Sequence, residues 1–283
     1  MTIDSLHPFA GDHSVQNVAF VLEWATPLDK ATLEAIKRLA PQFRASFPVV
    51  QEQQLITVNV EAPKQGGITR HHRPKAPPTP ATQLGGIQFL HVGGASAGSF
   101  TRMIQVQRDS CLVALNEYSR WDVVWPKVHG WLEVVLPVIL TGRSLNSFTL
   151  QYQDLFLWKD DPNNLQLREI FESESNFLPS NIFELRSAWH SHHGYVEPYV
   201  GNWAGHLLNN VNVNVGDLNG VRQIGTMLTH KVTFGAPIWS LERATAALGE
   251  VMPALHQVNK SILSGLFAEE VRNKIGLTAP RGE

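Results

Sequence analysis

The chain has 283 residues, 43% of them hydrophobic and 17% charged, with a net charge of -2 and one cysteine. That is enough apolar material for a packed core, and it excludes a chain left disordered by its composition. The balanced charge argues against a dedicated electrostatic DNA binder, and the lone Cys111 excludes an intramolecular disulfide framework or a cysteine-based zinc finger.

Residues 1–11 carry neither a basic segment nor an apolar run, and the most apolar stretch, 134–140, is far shorter than the roughly 20 residues of a spanning helix. A cytoplasmic protein without membrane contact is expected. Val18, Phe20, Leu22 and Trp24 alternate as on a half-buried strand. Asp29 then caps a helix whose stripe Leu33, Ile36, Leu39, Phe43 and Phe47 runs to Pro48, and a strand is expected over 55–60. Prolines and glycines over 62–86 predict a long loop. Between Glu61 and Asp109 every charged residue is basic, Arg70, Arg73 and Lys75 included. Nucleic-acid contact is expected, if anywhere, only through this loop. No aromatic interleaves with the charges, so a solvated loop is the plainer reading.

Strands are predicted over 87–92, 103–106 and 111–115. Asp122 then opens a helix burying Val124, Val128, Leu132, Val135 and Ile139, with Pro126 in its first turn and Pro137 near its end. A strand follows over 148–156, and a short helix or turn over 165–171. Between Ile182 and Phe234 the alternation of Val211, Val213 and Val215 with Asn210, Asn212 and Asn214 predicts a meander of three long strands, with a turn at 216–220. Ser240 caps a long C-terminal helix in which Leu241, Leu248, Leu255 and Ile262 recur every seven residues and Pro253 introduces a bend. The class is therefore α+β: an antiparallel sheet with helices on one face. Strand-helix-strand-strand-strand occurs twice, from residue 15 and from residue 110. This divides the chain at 1–109 and 110–283, either as two halves or as one continuous domain.

The strand Val18–Trp24 with Pro27-Leu28, the pair Tyr118 and Trp121, the strand Phe148–Asp154, and the tail residues Leu255-His256 and Leu266-Phe267 together resemble a sporadically distributed family of uncharacterised bacterial proteins. Gln151 stands where that family's strand has an arginine, and Gln153-Asp154 where it has Ile-Asn. The resemblance carries no activity over to particular residues. It implies an accessory gene, gained and lost as defence and toxin–antitoxin genes are.

No phosphate-binding glycine motif, dinucleotide fingerprint or zincin helix occurs. Gly94-Ala95-Ser96-Ala97-Gly98 has the spacing of a hydrolase nucleophile turn, but strand follows where that chemistry needs a helix. Cys111 sits in an apolar run and reads as packing. Asp154, Asp160, Asp161, Glu169, Glu172 and Glu174 all read as surface carboxylates. A turn symmetric about Leu218 places His206 opposite His230, and a preceding turn near Pro198 brings His190 or His192 alongside. This makes a histidine row of the kind that binds zinc or iron. The leading expectation is a non-enzymatic cytoplasmic protein-interaction module without a cofactor, a partner in a bacterial defence or toxin–antitoxin pair. Its contacts would be Arg70, Arg73 and Lys75 together with aromatics such as Tyr195, Tyr199 and Trp203. The alternative is a metal-dependent enzyme built on His190, His192, His206 and His230. A third reading is a small-molecule binder, because a curved sheet gripping a long helix encloses a cavity.

Overall fold

A computed structural model describes residues 2–57, 81–93 and 99–277. In chain order its elements are α1 (Thr2–Ser5), β1 (Leu6–Pro8), β2 (Val15–Trp24), α2 (Lys30–Lys37), α3 (Ala40–Phe43), β3 (Val49–Thr57), β4 (Ala81–Val92), β5 (Phe100–Gln107) and β6 (Ser110–Leu115). The remainder comprises α4 (Trp121–Ile139), β7 (Leu145–Trp158), α5 (Leu167–Ile170), β8 (Trp189–Tyr199), β9 (Gly205–Leu218), β10 (Val221–Ile238), α6 (Leu241–Leu266) and α7 (Glu269–Lys274). The described strands form one antiparallel sheet in the order β3-β4-β5-β6-β2-β7-β10-β9-β8, with the short β1 also paired to β7.

The pairing defines two similar paths. In the first, β2 leads through α2 and α3 into a meander, β3 to β6, whose last strand returns beside β2; α4 follows. In the second, β7 leads through α5 into the meander β8 to β10, whose last strand returns beside β7; α6 follows. The first path thus begins at residue 15 as expected, whereas the second begins at β7, at Leu145, rather than at residue 110. A cut between 109 and 110 would divide the β5–β6 hairpin.

Helices α2, α4 and α6 line one face, with α2 against β4 and β5, α4 between α2 and α6, and α6 across β7 and β10. Two apolar cores fill the space beneath them. One joins Phe20, Leu22, Phe148 and Leu150 to α4 and to Leu248 and Leu255 of α6. The other joins Phe156, Val211, Val213 and Leu228 to Ile262, Leu266 and Phe267. Between them on the same face lie Asp154, Thr226, His230, Asn209 and Asn259, all buried and all polar. Among the described residues no helix is long and apolar enough to cross a membrane.

Several local expectations shift for identifiable reasons. The first helix stops at Lys37, because Pro41 has no N–H for the Lys37 carbonyl, and the chain restarts as α3. Asp29 caps α2 as expected, accepting from the Thr32 N–H at 2.8 Å. Residues 81–86 belong to β4 rather than to a loop. Gly86 is needed there because a Cβ would fall 2.8 Å from the Val106 carbonyl oxygen. Pro126 sits in the second turn of α4, since the helix begins at Trp121. In α6, Leu248, Leu255 and Ile262 are buried, but Leu241 is 42% exposed.

Leu255 is fully enclosed between α4 and the sheet. Leu255→Ala is expected to lower stability in urea unfolding by about 2–5 kcal/mol, the usual cost of truncating a buried leucine. Sedimentation is expected to show an unchanged mass, since the residue faces the chain's own core.

Candidate functional site

The residues that converge on a cleft of about 370 Å³ come from five separate segments. The stretch leading into β2 gives His13, Ser14 and Val15, and the start of α4 with its preceding loop gives Tyr118, Arg120, Trp121 and Asp122. Strand β7 supplies Tyr152 and Asp154, α6 supplies His256, Asn259, Lys260 and Leu263, and the chain after α7 closes one end with Ile275, Gly276 and Leu277.

Asp154 occupies the floor. Its strand alternates, so the phase that buries Phe148, Leu150, Tyr152 and Phe156 buries the carboxyl too, leaving it 1% exposed. Ser14 Oγ donates to Oδ1 at 2.7 Å and Thr226 Oγ1 donates to Oδ2 at 3.2 Å. Burial outweighs these two hydrogen bonds and lifts the acid to about 6. Tyr118 rises to about 12, chiefly through burial, with the nearby Asp154 charge adding to the shift. Tyr152 is also pushed well above the ordinary phenol value, again chiefly by burial, and its hydroxyl lies 3.0 Å from His256 Nδ1. The His256 ring stacks on Trp121 at 4.3 Å and 3°. Burial, and secondarily the Lys260 charge, lower it to about 4. At neutral pH both phenols keep their protons and His256 is neutral, so the depth of the cleft offers hydrogen-bonding groups around one carboxylate.

At the rim, Arg120 reaches the Asp12 carboxylate at 3.4 Å and the Ile275 carbonyl at 3.5 Å. Gly276, at φ +65°, leaves room for that guanidinium. His13 and Tyr118 meet edge to face with centroids 5.5 Å apart, and among the described residues the buried His13 Nδ1 has no hydrogen-bond partner.

Asn259 extends the polar groups beneath α6. His230 Nε2 lies 3.2 Å from Asn259 Oδ1, and His230 Nδ1 lies 2.7 Å from Asn209 Oδ1. Asn209 Nδ2 in turn donates to Glu197 Oε1 at 3.0 Å. Burial lowers His230 to about 4. Both ring nitrogens thus face amide oxygens, and a neutral ring, with one N–H, can donate to only one of them.

The histidine row does not form. Asn219 and Gly220, with φ of 52° and 79°, make a two-residue hairpin turn, and His230 pairs with Asn209. That is three residues from the expected partner, an odd displacement, so His206 lies opposite Thr233 on the other face of the sheet. His190 and His192 pair with Asn214 and Asn212 and are exposed. Among the described residues no group of three or more His, Cys, Asp or Glu side chains is placed to hold a metal.

The aromatics expected as binding anchors are half-buried. Trp203 donates its N–H to Glu250 at 2.9 Å beneath Arg243, Tyr199 packs on the larger core, and Tyr195 leans on His193. Arg70, Arg73, Lys75 and Ser96 lie outside the described residues. Cys111 is core packing, its thiol pushed up to about 12 by burial. Asp154 is the residue most misjudged from sequence, although a carboxylate in the apolar phase of a strand was a readable signal. Compared with known proteins, the chain matches no family model and no curated sequence.

The pH dependence of stability follows from these groups. Asp154 binds its proton more tightly folded than unfolded, so its contribution is most favourable below about pH 4 and is lost as pH rises through about 6. His230 and His256 act in the opposite sense, removing stability as pH falls from 6.5 towards about 4. Asp154→Asn is therefore expected to be more stable than wild type near pH 8, by about 1–3 kcal/mol, with a steeper loss on acidification. Urea unfolding at pH values from about 8 to about 4 measures both effects.

Proposed function

We propose that this protein binds a small molecule in the cleft above Asp154. The observation that carries the reading is the uncompensated carboxyl. It is fully buried, it is held by two neutral hydroxyls, and it forms the floor of a cleft walled by Tyr118, Tyr152 and His256. An upward shift of about two units costs the folded state about 3 kcal/mol at neutral pH, an expense that structural packing does not require. Concave sites with convergent polar groups and a displaced acid are where proteins hold ligands. The His13 Nδ1 in the same wall, without a hydrogen-bond partner among the described residues, supports the same reading. The surrounding groups suit recognition, since the Ser14 hydroxyl hydrogen is already committed to Asp154 and both phenols are held protonated.

A thermal-shift screen of small polar metabolites tests this. Some compound is expected to raise the midpoint of wild type, and Leu263→Trp, which fills the cleft from α6, is expected to abolish the shift while the free protein still unfolds cooperatively. Shifts indifferent to Leu263→Trp would refute the reading.

The protein-interaction reading keeps one specific support. Strand β8 pairs only with β9 among the described residues, so its other edge offers eleven residues of backbone for strand addition. If a partner uses that edge, a complex isolated with the chain is expected to dissociate on Ser191→Pro but to survive Leu263→Trp.

A further inference from the structure

We propose that the ligand of this cleft is a primary ammonium compound, its cation seated on Asp154 with N–H groups directed to Tyr118 and His13. The proposal rests on the small-molecule reading above and specifies its ligand class. A carboxylate has about four lone-pair sites, and Ser14 and Thr226 occupy two of them. Among the described residues no lysine, arginine or histidine approaches Asp154 within ion-pair distance, although Arg120 and Lys260 line the same cleft. Arg120 is engaged by Asp12 and the Ile275 carbonyl, and the Lys260 charge acts on His256. The remaining charge of the cleft, Asp122, is also negative. Asp154 therefore has no cation paired with it among the described residues, although the cleft as a whole carries two cations and two carboxylates, and a cation brought to a desolvated carboxylate gains far more than at a water-exposed one.

The neighbouring groups discriminate among cations. An ammonium has three N–H donors, and the walls of this cleft carry acceptors: the free lone pairs of Asp154, the phenol oxygen of Tyr118, which also meets the Tyr152 hydroxyl, and the ring of His13, whose Nδ1 has no hydrogen-bond partner among the described residues. A quaternary ammonium would leave those acceptors unmet. The Trp121 ring, the best cation-binding face in the lining, is already stacked with His256 at 4.3 Å and with Trp125 at 5.3 Å. Hydrogen-bonding geometry thus favours R–NH3⁺ over its methylated or neutral counterparts.

Isothermal titration of the full chain with n-butylammonium, trimethylbutylammonium, butan-1-ol and butyrate tests the class, with benzylammonium and benzyl alcohol as a second pair. The primary ammonium ions are expected to bind at least about tenfold more tightly than the alcohols and the quaternary ion, and butyrate more weakly still. Asp154→Asn is expected to erase that preference. In wild type, acidification from about pH 7 to about pH 5 is expected to weaken ammonium binding about tenfold as Asp154 takes up its proton, while His256, lowered to about 4, stays neutral. Should Asp154→Asn fail to fold, this wild-type pH series decides alone. Alcohol or butyrate binding as tightly as the ammonium, or ammonium binding that ignores pH, would overturn the ligand class while leaving the cleft intact. Ammonium binding unchanged by Leu263→Trp, or no binding by any probe, would overturn the proposal together with the small-molecule reading beneath it.

Discussion

The Asp154 carboxyl has left water and gained only the hydroxyls of Ser14 and Thr226, and the surrounding architecture accommodates that imbalance. An isolated ionised group in an apolar interior is untenable, so the chain surrounds it with other polar groups. Tyr152 and His256 bond to each other nearby, and Asn259 carries the polar contacts on to His230, Asn209 and Glu197. This oblique seam separates the two apolar cores. On β7 it passes between Tyr152 and Phe156, on β9 between Leu207 and Val211, and on α6 between Leu255 and Ile262. Each core alone is ordinary packing, whereas the seam between them requires particular partners.

A seam of this kind also fixes register. If β10 slipped by one residue against β9, Asn209 would lose His230 and an imidazole would be buried without its donor contact. The two-residue turn at Asn219-Gly220 sets the same register locally through backbone positions that favour left-handed conformations. Local turn chemistry and buried hydrogen bonding therefore specify one alignment, as expected of a sequence that folds to a single state.

Much of this was legible in the residues. The alternations in β2 and in the meander, the Asp29 and Ser240 caps and the long C-terminal helix depend on nearest neighbours along the chain, which periodicity reports directly. The cleft depends on five segments that meet only through the sheet order, and no spacing encodes that order. The histidine row failed for a narrower reason: centring the turn on Leu218 rather than on Asn219-Gly220 exchanged one face of the sheet for the other. Asp154 was misread because its polarity was weighed without its strand phase. The same strand shows that a polar residue in an apolar phase marks a buried group with something to do.

The position of β2 has a consequence for how the chain reaches this state. One edge of β2 is satisfied early by β6, within the first 115 residues, but its other edge pairs with β7, from Leu145 to Asp154. During synthesis a five-strand sheet closes on itself with an open, strongly apolar margin at its future centre, and it stays open until more than thirty further residues have been made. An unpaired central strand templates foreign pairing. Helix α4 is made in that interval, between β6 and β7. Its apolar side covers Phe20 and its neighbours before the second half arrives. The first long helix thus buries the apolar face of that margin early, while its backbone edge stays open until β7 pairs with it.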